Sequence, residues 1–280
     1  MKGKGRKGSK RSARVKGEKG PGVRGKPSPG REKRGSDSEG AAEVARGAAA
    51  GGPAGRPESE AIAEELRSYG DSFKRHTGLE LREKTVRSLG LYISELFRWN
   101  ERAALMSRGD ETRVIERHVM DSLSLLAFFH ETDGASLLDI GSGAGFPALP
   151  IKIAALGMKV TLVESVHKKE LFLNYVIQKL GLEDAMVLGA RAEEAPWRGV
   201  APEGFDIVTS RATLGLADLA AMGGTAVGRG GALVAYKGGR FEEELRDAEG
   251  GIERSGLRLM AIWESPWGPG RLLAFRKKGP

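Results

Sequence analysis

The 280-residue sequence predicts an α/β fold: a Rossmann-like sheet of seven strands, mostly parallel with an antiparallel last strand, behind an N-terminal helical extension. Three observations predict it. First, the apolar run Ser136-Leu137-Leu138-Asp139-Ile140 is too short for a helix and breaks into Gly141-Ser142-Gly143-Ala144-Gly145 and Phe146-Pro147. An apolar helical run follows to about Leu156, then a second strand, Lys159–Val163, that ends on Glu164. Strand, glycine turn, helix, strand and acid form the first half of a nucleotide-binding unit. Second, three more short apolar runs, Ala185–Leu188, Phe205–Val208 and Gly231–Tyr236, are bounded by turn residues and read as buried parallel strands. Third, Leu257–Ile262 and Leu272–Phe275 lie too close together for a helix between them, so they pair antiparallel.

Residues 1–56 are rich in Gly, Lys, Arg, Ser, Pro and Ala. The first forty carry 14 Lys/Arg against 4 Asp/Glu, a balance of +10, and after Met1 only Val15 and Val23 are sizeable apolar residues. Such a segment cannot bury enough surface to offset its ordering entropy and is expected to be disordered. It lacks the strict three-residue glycine period of collagen and is too Gly/Pro-rich for a transit peptide. Two readings stay open: an electrostatic arm for RNA, or a dispensable solvated tail. The remaining residues hold 31 basic and 33 acidic groups, so the body is near neutral, at −2.

Residues 57–130 read as the helical extension and 131–280 as the core. Ile62, Leu66, Tyr69 and Phe73 recur at helical spacing, as do Val86, Leu89, Ile93 and Leu96 before Trp99-Asn100. A third helix is expected after Asp110 as N-cap, burying Ile115, Val119, Leu123 and Leu126. Arg113, Arg117 and Asp121 recur on its other side, which predicts an Arg117–Asp121 surface ion pair rather than an active-site element. His118 either faces the site or packs. After Glu164, Lys168–Leu180 forms a helix closed by Gly181. Phe241 begins a polar helix ahead of the two closing strands.

Ligands of open α/β sheets bind at the carboxyl edge of the strands, where Asp139, the glycine turn, Glu164 and Thr209-Ser210-Arg211-Ala212 all fall. Glycine permits backbone approach that a Cβ would block. Glu164, 25 residues beyond Asp139, is placed to accept two ribose hydroxyls. Phe146 stands where the dinucleotide pattern has its third glycine. Asp139 followed by Gly141-x-Gly143-x-Gly145 looks like the first motif of S-adenosylmethionine-dependent methyltransferases.

From Leu91 to Gly238 the chain resembles the RsmG (GidB) family, bacterial guanine-N7 methyltransferases of small-subunit ribosomal RNA. The resemblance rests on Trp99-Asn100, Arg117-His118-x-x-Asp121-Ser122-Leu123, Asp139 through Pro147, Glu164-Ser165-x-x-Lys168-Lys169-x-x-Phe172-Leu173, Arg191-Ala192-Glu193-Glu194, Phe205-Asp206-x-Val208-x-Ser210-Arg211-Ala212 and Lys237-Gly238. It departs at Ala104-Leu105-Met106, where the family usually shows Asn-Leu-Thr. The resemblance implies S-adenosyl-L-methionine as cofactor, with contacts at Gly141, Phe146, Ala192, Glu193 and Arg211. Its implied substrate is 16S ribosomal RNA in the small subunit, at the guanine conventionally numbered 527. Arg211, repelled by a sulfonium, is expected to hold the methionine carboxylate or an RNA phosphate.

Guanine N7 carries a free lone pair, so no catalytic acid or base is expected. The chain has no cysteine, which excludes disulfides and the thiolate route to pyrimidine C5. Thr209-Ser210-Arg211-Ala212 stands where exocyclic-amine transferases carry Asn/Asp-Pro-Pro-aromatic. Four histidines without metal-pair spacing predict no metal site, and no apolar run is long enough for a membrane span. A cytoplasmic monomer is expected. Two other functions stay open: a noncatalytic ribosome-assembly RNA binder and a nicotinamide-dependent dehydrogenase.

Overall fold

The computed structural model describes residues 58–129, 132–194, 196–211, 214–268 and 270–278, so the basic arm over 1–56 lies outside the described residues. Among these, helices α1 (Ser59–Ser68), α2 (Gly70–Thr77) and α3 (Glu83–Ala103) build the extension. The periodic residues face inward as the spacing demands: Ile62, Leu66 and Phe73 are buried, and so are Val86, Leu89, Ile93 and Leu96. Gly90 lets α1 cross α3 closely, because a Cβ there would stand 2.5 Å from the Ser59 carbonyl oxygen. Arg67 adds a surface clamp, reaching Glu60, Glu64 and Glu83 at 2.6–2.8 Å.

The third expected helix is broken. A short α4 (Arg108–Glu111) is capped by Ser107, whose hydroxyl oxygen accepts from the Asp110 N–H. Asp110 is therefore inside this turn and is not the N-cap, a correction to the expectation. A π-helical segment, Ile115–Met120, then runs into α5 (Asp121–Leu123) and a 3₁₀ turn, Ser124–Phe128. Its widened turn sends the Asp121 N–H to the Glu116 carbonyl, five residues back.

The sheet contains β1 (Ser136–Ile140), β2 (Lys159–Val163), β3 (Ala185–Leu188), β4 (Phe205–Arg211), β5 (Val227–Lys237), β6 (Leu257–Glu264) and β7 (Arg271–Lys277). Their order is β3-β2-β1-β4-β5-β7-β6, with β7 antiparallel to both neighbours and the other pairings parallel. Helices α6 (Ala148–Ala154) and α7 (His167–Leu180) join β1, β2 and β3. Helices α8 (Leu216–Ala226) and α9 (Phe241–Arg254) connect β4, β5 and β6.

Strand alternation splits the core. Leu137, Leu162, Ile207 and Val234 pack with α6, α7 and the extension, whereas Leu138, Val163, Val208 and Leu233 pack with α8 and α9. The strand order reverses between β1 and β4, which opens a crevice at their carboxyl ends. There the register sets Ile140 beside Val163 and Asp139 beside Thr209. Among the described residues no helix is long and apolar enough to cross a membrane.

Candidate cofactor site

Each element delivers its functional residue to that crevice. Gly141 leaves β1 at φ +74° and its N–H donates to the Val163 carbonyl at 2.9 Å, so the turn starts folded over the end of β2. The Gly143 N–H donates to Glu164 Oε2 and the Val166 N–H to Oε1, both at 2.8 Å. One carboxylate thus joins the glycine turn to the entrance of α7. Each oxygen keeps a further lone pair.

The extension braces the same turn. The buried Tyr92 hydroxyl donates to the Ala144 carbonyl at 2.7 Å, and its ring lies 5.6 Å from Phe146. Trp99 packs on Phe172 and Tyr175 of α7, at 5.7 and 5.3 Å. Asn100 folds the following loop by accepting from the Met106 N–H at 2.8 Å and donating to its carbonyl at 3.0 Å. That loop puts Leu105 and Met106 on the site, where they form an apolar wall.

The resulting cavity is about 490 Å³. Gly141, Phe146, Glu164, Ala192, Glu193 and Arg211, the six residues singled out in the sequence, all line it. Leu105, Met106, Asp110, Lys169 and His118 line it as well, and sequence reasoning did not assign them. His118 had one signal, its place in Arg117-His118-x-x-Asp121, and it both lines the cavity and packs. Its ring stacks on Phe146 at 5.0 Å, with Asp110 Oδ1 3.6 Å from Nε2. Burial, aided by the nearby Arg211 charge, lowers its pKa to about 4, so the imidazole is neutral at pH 7.

Arg211, expected to hold the methionine carboxylate or an RNA phosphate, also makes bonds within the chain. Its guanidinium meets Asp121 Oδ2 at 3.0 Å, donates to the carbonyls of Arg117 and His118, and lies over the Tyr236 ring at 5.5 Å. The expected Arg117–Asp121 surface pair is corrected accordingly. Arg117 instead reaches Asp110 at 3.4 Å, while Asp121 is buried against Arg211. The π-helical turn is the cause, because it rotates Asp121 off the exposed face that a regular four-residue step would give it.

Asp139, at the end of β1, is fully buried. Its Oδ1 accepts from the Thr209 hydroxyl at 2.9 Å. Burial, opposed by that hydrogen bond, raises its pKa to about 7. Among the described residues no cluster of His, Asp and Glu is arranged to hold a metal.

Sheet order, the antiparallel last strand and a glycine turn locked to the acid at the tip of β2 define a Rossmann-like methyltransferase. Comparison with known proteins narrows this class. The profile of GidB, described as rRNA small subunit methyltransferase G, matches residues 85–265, and the chain belongs to that family. A ribosomal RNA small subunit methyltransferase G from Lachnoclostridium phytofermentans is 38% identical over 66% of this chain and 76% of its own length. The protein of that name from Roseiflexus castenholzii is 39% identical over 66% of this chain and 79% of its own. Among solved structures, a SAM-dependent methyltransferase from Aquifex aeolicus superposes with a TM-score of 0.49 at 17% identity, covering 63% of this chain and 98% of that one.

Proposed function

We propose that this protein transfers a methyl group from S-adenosyl-L-methionine to N7 of a guanine in 16S ribosomal RNA, at the position conventionally numbered 527. The observation that carries the reading is that one cavity gathers all six residues singled out in the sequence, in a chain of the small-subunit rRNA methyltransferase family. When bound, the cofactor supplies an electrophilic methyl on a sulfonium whose departure leaves a neutral thioether. The residues present fit it. The Glu164 lone pairs left over from the two backbone bonds accept the ribose hydroxyls. The Gly141 backbone would allow the ligand close approach, and Phe146 with Leu105 and Met106 would give it an apolar wall. Ala192 and the exposed Glu193 take the adenine side.

With the cofactor bound, the guanine N7 lone pair would take the methyl carbon as the carbon–sulfur bond breaks, the electron pair of that bond staying on sulfur. No proton leaves N7, so the chain needs no general base, and the neutral, buried His118 is consistent with that. What the protein supplies is alignment and exclusion of water. A ribosomal substrate places the enzyme in the cytoplasm, where subunits assemble.

The test is to map 7-methylguanine on small-subunit RNA from cells with and without the protein, and on RNA treated with purified protein and cofactor. One modified guanine is expected, absent without the protein. An unmodified RNA with retained subunit binding would select the assembly-factor reading instead.

A further inference from the structure

A second cavity of about 300 Å³ lies beside the first and shares Asp110, His118 and Arg211 with it as a common wall. Its size is at the lower end for small-molecule sites. Asp121 lines this cavity and not the first. One Asp121 oxygen is held by Arg211 and the Ser265 side chain lies near the carboxylate, but Oδ1 is buried without a hydrogen bond of good geometry. A buried carboxylate oxygen left without a well-made bond is costly, and such groups mark places that a ligand completes.

Glycines supply the second observation. Gly238, Gly268 and Gly270 line the same cavity. None has positive φ. A Cβ at Gly238 would meet nothing within 4 Å, and at Gly268 and Gly270 nothing nearer than 4.0 and 3.6 Å. Neither backbone conformation nor packing within the chain requires glycine at these positions. Side chains there would instead compete for the space of the cavity.

We propose that this second cavity seats the target base and that Asp121 reads its Watson–Crick edge. The assignment rests on the guanine reading above and names the residue that selects the base. Guanine presents two donors on that edge, N1–H and the N2 amine, to a carboxylate that accepts and cannot donate. Adenine presents its N1 lone pair there and is repelled. The shared wall of Asp110, His118 and Arg211 sets the two cavities side by side, so a purine seated in the second lies next to the methyl donor proposed for the first. Arginine ordinarily takes N7 and O6 of guanine. The engagement of Arg211 with Asp121 and with the carbonyls of Arg117 and His118 directs those donors away from N7.

The experiment compares full-length wild type and Asp121→Asn on small-subunit substrate carrying guanine, inosine (no N2 amine) or 2-aminopurine (no N1–H) at the target position. Cofactor affinity, measured by calorimetry, serves as the fold check. Wild type is expected to lose about 10- to 100-fold in kcat/KM on at least one analogue. Asp121→Asn should retain cofactor binding, weakened only as far as losing the partner of Arg211 weakens it, be slower on guanine, and lose most of that discrimination. A variant that discriminates as wild type does overturns the assignment while leaving guanine methylation in place. Gly238→Val gives an independent arm: filling the slot should cut methyl transfer at least about tenfold with cofactor affinity retained. Unchanged turnover would likewise overturn it. A wild type that methylates no guanine refutes the functional reading itself, and the base assignment falls with it.

Discussion

Glu164→Gln tests the junction on which the cofactor site depends. The wild-type carboxylate is 6% exposed and accepts two backbone N–H groups at 2.8 Å, one from the glycine turn and one from the entrance of α7. Glutamine keeps one accepting oxygen. Its amide nitrogen then faces an N–H that it cannot accept, so one bond to a charged acceptor is lost. Such a bond contributes about 1.5–3 kcal/mol, and burial leaves little solvent to compensate. The unfolding free energy should fall by that amount in urea titrations. The same substitution removes one oxygen proposed for the ribose, which predicts an affinity for S-adenosylmethionine roughly 10- to 100-fold weaker by calorimetry. An unchanged urea midpoint together with affinity within about twofold of wild type would refute both bonds. Lost stability with unchanged affinity would leave Glu164 as a brace and remove it from the ribose.

Three further perturbations probe other parts of the argument. Gly141→Val should abolish cofactor binding with the circular dichroism spectrum retained, because φ +74° is strained for a branched residue and its side chain intrudes on the ligand; full affinity in a folded variant would make the turn merely structural. Asp139 has its pKa raised to about 7 in the folded chain, so the folded state holds a proton that the unfolded state releases, and wild-type stability should decline from about pH 4 to about pH 7. Asp139→Asn stays neutral, so its stability relative to wild type should rise across that window; parallel urea midpoints at each pH would contradict this. Deleting residues 1–56 should leave cofactor binding intact and the modified base unchanged. If about five basic groups of the arm engage phosphates, the log–log salt slope for RNA binding should become shallower by roughly 3.5 to 4.5. Identical slopes would show that the arm does not touch RNA.

Much of the sheet was legible because buried parallel strands write themselves as short apolar runs between turn residues. Ser136–Ile140, Lys159–Val163 and Ala185–Leu188 begin and end where the pattern places them. Helix α8 was not read, and its composition explains why. Gly223 and Gly224 punctuate it like a loop, yet packing demands them: added Cβ atoms would stand 2.8 Å from Leu233 and 2.9 Å from Ser255. The broken helix around His118 was also misread, since periodicity assumes a regular turn and the π-helical segment is not one.

The sequence by itself determined the nucleotide-binding half, the order of its motifs and the place of Glu164, because glycine turns and strand ends are set by local backbone chemistry. The other five residues singled out came from the family resemblance. Tertiary structure decided what those residues are joined to. Glu164 closes on Gly143 and Val166, and Tyr92 reaches Ala144 across 52 positions. Arg211 crosses 90 positions from Asp121 to pair with it. Partners so far apart leave no periodic trace in the chain, and only the packing of helix on sheet brings their charges and donors within hydrogen-bonding distance.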